Sequence, residues 1–486
     1  MMMKEDRVVL PYKSPLSSQY STICDLPLLL SSYCLIAMAS SLTFAARRSK
    51  PTLVAPARPT PHEFKALSDI DDQESLRFYR SVVYFYENDP SKEGQDPAAV
   101  VKDAVSKVLV PYYPFAGRIR ERPGRKLVVE CTGEGVEFVE ADADVRLEDF
   151  GDTLYPPIPC IGELLCLPES NKAVVLDRPL LYIQVTRLKC GGFIFGFQVC
   201  HNMVDAPGLT QFLTALAEFA RGAAAPSVQP VWARELLNAR RPPRITHQHL
   251  EYEPVAKPDK DKIRPGQELL HRPFFFWADD IAVLRRSAPQ HLTARCSRFE
   301  LIAAHVWRCR TAALGYDPDD EVRFQFVVNA RGKSNPPIPE GYYGNALSYG
   351  FASAAAGKLV GEPLGYALAL VMDAKARVMS DGYLQSTADF LVSRGRPRIQ
   401  VARTYLVTDQ TKAGLETVDV GWGKAVYGAA ATTTLATFHM PVKSRRGEEG
   451  IMVPIGLPPW AMERFVVEME RIKNEPALQV GISSRL

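Results

Sequence analysis

Two apolar runs that alternate with period two flank residues 189–192, and a run with helical spacing follows them directly. The alternating residues are Leu181, Ile183 and Val185, then Phe193, Phe195, Phe197 and Val199. This pattern predicts a β-hairpin across the turn. The helical run comprises Leu209, Phe212, Leu213, Leu216 and Phe219 and ends before Gly222, which favours a helix C-terminus. The chain must therefore pack helices against a sheet.

The second half also mixes helices and strands. Apolar spacing predicts helices over 299–313, 364–378 and 462–472, and a strand over 322–328. The fold class is therefore α/β or α+β, and 486 residues favour two domains over one. A proline-rich stretch predicts a linker at 226–265. The expected units are an extension at 1–37, a domain at 38–225, the linker, and a domain at 266–486.

Composition excludes several classes of function. The net charge of +3 is too small to indicate nucleic-acid binding, and no basic run carries interleaved aromatic residues. No apolar run reaches the roughly 18 residues that span a membrane. The nine cysteines include no CxxC pair and no zinc-finger spacing. An odd, scattered set predicts reduced thiols in a cytoplasmic protein and no metal site.

The first 37 residues allow two interpretations. A short apolar stretch from Leu26 to Ala37 follows Lys4, Arg7 and Lys13, and Ala37-Met38-Ala39 resembles a small-residue cleavage site. This could be a signal peptide. The other interpretation is a poorly ordered extension ahead of a second possible start at Met38. The cysteine usage favours the extension.

The segment His201-Asn202-Met203-Val204-Asp205 lies between the predicted hairpin and the predicted helix. A histidine at a strand end can act in catalysis, or can simply be a satisfied structural residue. Asp205 precedes Ala206-Pro207, so a helix N-cap is its structural alternative. Spacing alone is a weak signal, because His247 and Glu251, and His249 and Glu253, are similarly spaced in the linker, where nothing is expected to hold them.

From about Met38 to its C-terminus, the chain resembles the plant BAHD acyltransferases. That family's HxxxD motif matches 201–205, and its DFGWG motif matches Asp419-Val420-Gly421-Trp422-Gly423, with Val420 in place of the usual Phe. Within the family the closest likeness is to the benzyl alcohol O-benzoyltransferase-like members. Further similar stretches are 112–118, 296–308, 329–331 and 341–345, and the benzoyltransferase likeness rests on 53–62, 335–339 and 423–428.

The resemblance implies a two-domain CoA-dependent acyltransferase fold, similar to chloramphenicol acetyltransferase, in a monomeric enzyme of plant secondary metabolism that forms esters. An aromatic (benzoyl or hydroxycinnamoyl) or short aliphatic (acetyl) group would move from acyl-CoA, a co-substrate, to an alcohol. His201 would be the general base. Asp205 would pair with Arg331 and aim His201. No permanently bound cofactor is implied.

The remaining site predictions are less directly tied to the reaction. Asp419 is a secondary catalytic candidate, while Gly421 and Gly423 are expected to be structural. Ser297 is expected to contact CoA. Trp422 and Asn345 are candidate CoA contacts and candidate donors to the tetrahedral intermediate.

Three alternatives stay open. The acceptor could be an amine, which would make the enzyme an N-acyltransferase. A peptide-synthetase condensation domain uses a related motif, usually with a second histidine where this chain has Cys200, and no carrier-protein module accompanies this chain. A catalytically silent binding relative is the third possibility, although such a protein would be expected to lack His201.

Overall fold

The computed structural model describes residues 42–151, 154–166, 175–256, 261–264, 266–432, 436–444 and 446–474. The interpretations of residues 1–37 lie outside this part of the chain. The strands are β1 Ala46–Arg48, β2 Thr52–Val54, β3 Phe64–Ala66, β4 Tyr79–Tyr86, β5 Arg118–Glu121, β6 Leu127–Glu130, β7 Val136–Ala143, β8 Leu181–Leu188, β9 Phe193–Cys200, β10 Leu270–Phe276, β11 Glu321–Asn329, β12 Leu347–Ala355, β13 Thr404–Asp409, β14 Tyr427–Ala430, β15 Ala436–Lys443 and β16 Glu449–Leu457.

The α-helices pack against the faces of the sheets. Their bounds are α1 Pro97–Val108, α2 Ala206–Ala220, α3 Ala278–Arg286, α4 Gln290–Thr293, α5 Arg298–Leu314, α6 Ala356–Gly361, α7 Leu364–Val378, α8 Tyr383–Ser393 and α9 Pro459–Asn474. The predicted hairpin is confirmed as β8 and β9, and the predicted helices after it and in the second half are confirmed as α2, α5, α7 and α9. The predicted strand over 322–328 is β11.

The first sheet has the order β1-β7-β8-β9-β4-β14, with β2 also paired to β7. On one face, alternate residues of β8 and β9 pack with α1 and α2 in a buried core. Burying one such large apolar side chain contributes about 1.5–3 kcal/mol. Apolar residues therefore occupy alternate positions over 181–185 of β8 and 193–199 of β9, the positions that face α1 and α2. The register pairs Tyr79 with Cys200, so the C-terminal end of β9 meets the start of β4.

The second sheet has the order β10-β16-β15-β13-β11-β12. Its core is formed with α5, α7 and α9. A further cluster joins the two sheets, with Val83, Phe85 and Ile194 from the first and Phe275, Phe438 and Met440 from the second. A small third sheet, β3-β6-β5, does not pair with either, but its residues Ile119, Leu127 and Val129 belong to the first core. The architecture is α/β with mixed sheets, as predicted.

A segment late in the chain belongs to the sheet and core of the first half. Strand β14 pairs with β4 in the first sheet, and Leu415, Val418 and Val420 belong to the first core. A boundary near residue 265 therefore does not separate the two cores, because residues of the predicted C-terminal domain complete the N-terminal sheet. Sequence periodicity could not show this, since strand pairing is set by contacts distant along the chain.

The predicted linker is largely packed. His249 and Glu251 are buried and interact through Nδ1 and Oε1 at 3.1 Å, and His249 Nε2 lies 3.0 Å from Ser386 Oγ. The expectation that nothing would hold the charged side chains here is wrong for these two residues. Burial of a charged group requires such partners, and α8 supplies them.

Candidate active site

The positions of β4, β8 and β9 fix the backbone of His201. The Cys200 N–H donates to Leu180 O at 3.0 Å, and the His201 N–H donates to Phe78 O at 2.9 Å. The strand then passes into a short 3-10 turn, His201–Met203, and Asp205 caps α2 by accepting from the Gly208 N–H at 3.1 Å. His201 thus leaves the rigid end of a central strand, where the two halves of the molecule meet.

Asp205 is held by the second half of the chain. Arg331 donates to its two carboxylate oxygens at 2.7 Å each, and the Ala346 N–H donates to Oδ2 at 3.0 Å. The Asp205 side chain is 6% exposed. The predicted pairing of Asp205 with Arg331 is therefore present, together with the predicted N-cap. Both carboxylate oxygens are occupied, so the geometry suits a positioning residue.

A second buried ion pair holds the same turn from the other side, and the sequence reasoning missed it. Asp71 accepts from Arg234 Nη1 at 2.9 Å, with side chains 0% and 1% exposed. Arg234 Nη2 also donates to Met203 O at 2.9 Å, and Asn202 Nδ2 donates to the backbone oxygen of Asp71 at 2.6 Å. The turn that carries His201 therefore lies between two carboxylate-arginine pairs.

The Asn345 side chain links Asp71 to the histidine. Its Nδ2 donates to Asp71 Oδ1 and to the backbone oxygen of His201, both at 2.8 Å. Because an amide has only two N–H donors, none is left for a tetrahedral intermediate. The roles of Asn345 as a donor to the reacting oxygen and as a CoA contact stay predictions. Asn345 Oδ1 and His201 Nδ1 are both buried without a hydrogen-bond partner.

The environment of His201 keeps its imidazole neutral. Burial, followed by the positive charge of Arg80, lowers the pKa of His201 to about 4. The Phe78 ring lies 5.1 Å from the imidazole, centroid to centroid. A neutral imidazole at pH 7 can accept a proton. Burial raises the pKa of the neighbouring Cys200 thiol to about 12, so Cys200 is a poor nucleophile, as expected.

The loop 419–423 lies at the other end of the first sheet. Trp422 packs edge-on against Phe193 at 5.2 Å, and Tyr86 Oη donates to Val418 O at 2.9 Å. Phe193 begins the strand that His201 follows, and the seven steps from Phe193 to Cys200, at ~3.3 Å rise each, span about 23 Å. Trp422 is therefore too far from His201 to donate to an oxygen reacting there, contrary to the prediction.

Asp419 organises its own loop. Its Oδ1 accepts from the N–H groups of Gly421 and Gly423 at 2.8 and 2.9 Å. Both glycines have positive φ angles of 108° and 80°, which an L side chain rarely adopts. The catalytic role of Asp419 and the structural role of the two glycines stay predictions. Trp422 as a CoA contact stays a prediction.

Ser297 caps the N-terminus of α5. Its Oγ contacts Glu300 Oε2 at 2.5 Å, and Lys375 Nζ donates to Ser297 Oγ at 3.4 Å. The capping box was not predicted, although its Ser-x-x-Glu spacing is visible in the sequence. Contact of Ser297 with CoA stays a prediction.

A sequence signal for Asp71 exists but is ambiguous. Ser68 to Asp72 contains three aspartates, which would usually be read as a polar turn. In the structure Ser68 Oγ donates to Asp71 at 2.7 Å, and this local turn buries the carboxylate. Over the described ranges, no group of three or more His, Cys, Asp or Glu residues could hold a metal ion, and no helix has both the length and the apolar character needed to cross a membrane.

The chain is similar to known proteins over most of its length. A family model described as the Transferase family matches residues 47–472. The benzyl alcohol O-benzoyltransferase of Nicotiana tabacum is 54% identical over 439 residues, covering 89% of this chain and 94% of that protein.

Two solved structures resemble the fold. Vinorine synthase superposes with a TM-score of 0.67 at 23% identity, covering 88% of this chain and 98% of that one. TRI101 of F. sporotrichioides, complexed with coenzyme A and T-2, gives a TM-score of 0.63 at 17% identity, covering 85% and 98%. The two-domain acyltransferase fold predicted from the sequence is thereby confirmed.

Proposed function

The chain belongs to the Transferase family, the BAHD acyltransferases, and from this premise we propose that it is an acyl-CoA-dependent O-acyltransferase that esterifies an alcohol. The name of the tobacco relative supports a benzoyl donor and an acceptor like benzyl alcohol. A hydroxycinnamoyl or acetyl donor is the second choice. The observation that carries the proposal is the position of His201, whose turn is held where the two halves of the molecule meet by the Asp205–Arg331 and Asp71–Arg234 ion pairs.

In the proposed reaction, His201 removes the proton of the acceptor hydroxyl as the oxygen attacks the thioester carbonyl. An alcohol is scarcely ionised at neutral pH, so this proton transfer needs a positioned base. The tetrahedral intermediate then expels the CoA thiolate, which takes the proton from the imidazolium. The ester forms in a ternary complex, and no acyl-enzyme is required. The raised pKa of Cys200 supports this route.

Asp205 and Asp71 act as positioning residues in this proposal. Each forms an ion pair with an arginine, and each also binds a backbone or side-chain group of the 341–346 segment. We further propose that Asn345 Oδ1 accepts from His201 Nδ1–H in the working state. Both atoms are buried and lack other partners. That hydrogen bond would leave the Nε2 lone pair available for the acceptor proton.

We also propose that Ser297 and Trp422 contact CoA and that the enzyme acts as a cytoplasmic monomer. The cysteines in the described part of the chain are free thiols, which supports a reducing compartment.

The test is a matrix of acyl-CoA donors and acceptors with the purified protein. Benzoyl-, hydroxycinnamoyl- and acetyl-CoA are each incubated with benzyl alcohol, an aliphatic alcohol and benzylamine, and the products are identified by mass. Benzyl ester formation is the expected result. A preference for benzylamine would overturn the O-acyl assignment in favour of N-acylation.

A further inference from the structure

Arg80, on β4, is a partly buried cation without a carboxylate partner. In the described part of the chain its guanidinium forms no hydrogen bond and no ion pair. Its contacts are two aromatic rings, with Cζ 5.5 Å from the Phe78 centroid and 4.9 Å from the Phe438 centroid. Other buried arginines do have acidic partners, namely Arg118, Arg234, Arg323 and Arg403.

The position of Arg80 ties it to the reacting centre. The Phe78 ring contacts the Arg80 guanidinium and also lies 5.1 Å from the His201 imidazole, centroid to centroid. Phe438 belongs to β15 of the second sheet, so Arg80 lies where the two halves of the molecule meet. The guanidinium and the imidazole of the proposed base thus lie against the same phenyl ring.

Arg80 is a charged, partly buried side chain, and an anion bound to its guanidinium would stabilise it. Burial lowers the pKa of Arg80 to about 10, which still leaves it charged at neutral pH. Removing a cation from water is unfavourable unless an anion or hydrogen-bond acceptors replace the water. Aromatic rings offset part of this cost, but they do not accept the planar N–H fork that suits a carboxylate.

We propose that Arg80 is a specificity-determining residue that binds a carboxylate on the acceptor alcohol. The inference rests on the proposed function, because it assumes that the acceptor hydroxyl lies at His201. An acceptor whose hydroxyl and carboxylate are separated by one aromatic ring fits this spacing. 4-(Hydroxymethyl)benzoate has that geometry, and its methyl ester is a matched neutral control.

The decisive measurement is the ratio of kcat/KM for the acid to kcat/KM for the methyl ester, with benzoyl-CoA as donor. Arg80→Met should lower this ratio at least tenfold, as expected when a hydrogen-bonded charge pair worth about 1.5–3 kcal/mol is removed. Arg80→Lys keeps the charge but loses the planar fork. Its acid-to-ester ratio should therefore lie between the ratios of the wild type and Arg80→Met. An unchanged ratio in Arg80→Met would overturn the proposal.

Arg122→Met is the matched control, because the Arg122 guanidinium also lies over an aromatic ring, 4.9 Å from the centroid of the exposed Phe64. It should leave the ratio unchanged. A tenfold rise in KM for benzoyl-CoA in Arg80→Met, with an unaltered acid-to-ester ratio, would assign Arg80 to a CoA phosphate and reject the carboxylate.

Binding separates this inference from the proposed function. Calorimetric titration of the acid into the wild type and Arg80→Met needs no turnover, and at least tenfold tighter binding by the wild type is expected. If no donor yields an ester but the wild type still binds the acid more tightly than Arg80→Met, the proposed function is rejected and the carboxylate site is supported. Equal binding by the two proteins would reject the site whatever the activity. Arg80→Met should unfold at the same or a higher temperature, because it removes a cation without an acidic partner.

Discussion

The two signature loops, 201–205 and 419–423, each contain an aspartate and a turn, yet their surroundings differ completely. Asp205 is 6% exposed and binds Arg331 across the two halves of the molecule. Asp419 is partly exposed, and its carboxylate binds the N–H groups of Gly421 and Gly423 within its own loop. The carboxylate of one loop therefore makes long-range contacts and that of the other makes local ones, although the Asp419 backbone oxygen also accepts from the distant Arg221 side chain.

The difference shows what a catalytic loop requires here. The proposed base is fixed through its backbone by Phe78 and Asn345 and through its neighbours by two ion pairs. Loop 419–423 instead packs Trp422 on Phe193 and precedes β14, the strand at the edge of the first sheet. Two motifs of equal prominence in the sequence thus correspond to a turn that holds the proposed base and to a turn organised by its own carboxylate.

The largest expected contrast is in catalysis. His201→Ala should reduce kcat/KM by about 10²–10⁴, the range that a positioned general base contributes, without loss of folding by circular dichroism. His62→Ala, whose side chain is 67% exposed, is the matched control and should retain activity. Near-normal turnover by a folded His201→Ala variant would refute the assignment of the base.

The second largest contrast is expected in the free energy of unfolding, which should differ among variants of Asp71, Asp205 and Asp419. Asp71→Ala leaves the buried Arg234 unpaired and should lower the free energy of unfolding by about 3–5 kcal/mol. Asp205→Ala leaves the partly buried Arg331 unpaired, so its cost should fall at the lower end of that range. Asp419→Ala loses two hydrogen bonds of a partly exposed carboxylate and should cost about 1–2 kcal/mol. Chemical denaturation measures all three. Equal costs would contradict the division into long-range and local loops.

A smaller effect is expected at Asn345. Asn345→Ala removes the donor to His201 O and the proposed acceptor of His201 Nδ1–H, so kcat should fall about tenfold, as for one hydrogen bond of about 1.4 kcal/mol. KM for benzoyl-CoA should stay within twofold. A loss confined to KM would show that Asn345 acts in substrate binding and leave the proposed tautomer without support.

The pH dependence should show the smallest change. A histidine with a pKa near 6.5 would be only about one-tenth neutral at pH 5.5, whereas His201, with a pKa of about 4, stays neutral there. The rate should therefore hold from pH 7 to 5.5, and its acid limb should appear nearer pH 4. Because Arg80 lowers the pKa of His201, Arg80→Met should move that limb to higher pH. A wild-type limb near 6.5 would contradict the buried, neutral base.

The same shift has a consequence for folding. The folded-state pKa of His201 lies below its unfolded value, so the unfolded chain binds the proton more readily. The contribution of His201 to stability is complete above pH 6.5 and is lost as the pH falls from 6.5 to 4. His201→Ala should therefore flatten the pH dependence of stability in that window.

Much of the local structure could be predicted because its causes are local. The alternation of Leu181–Val199 specifies the hairpin, and the apolar spacing of Leu209–Phe219 specifies α2, since each pattern must bury one face. The N-cap role of Asp205 also followed from its neighbours. The pairing with Arg331 came from family resemblance, and the structure contains it.

The sequence alone determined the mixed α/β class, the hairpin, the main helices and the family to which the chain belongs. Only the tertiary structure decided that β14 completes the first sheet, that Asp71 and Arg234 hold the turn of His201, and that Asn345 faces the histidine backbone. It also decided that Asp419 and Trp422 lie a strand length from His201. The physical reason is range: periodicity and capping act over a few residues, whereas a buried charge selects its partner by three-dimensional proximity, which no spacing along the chain records.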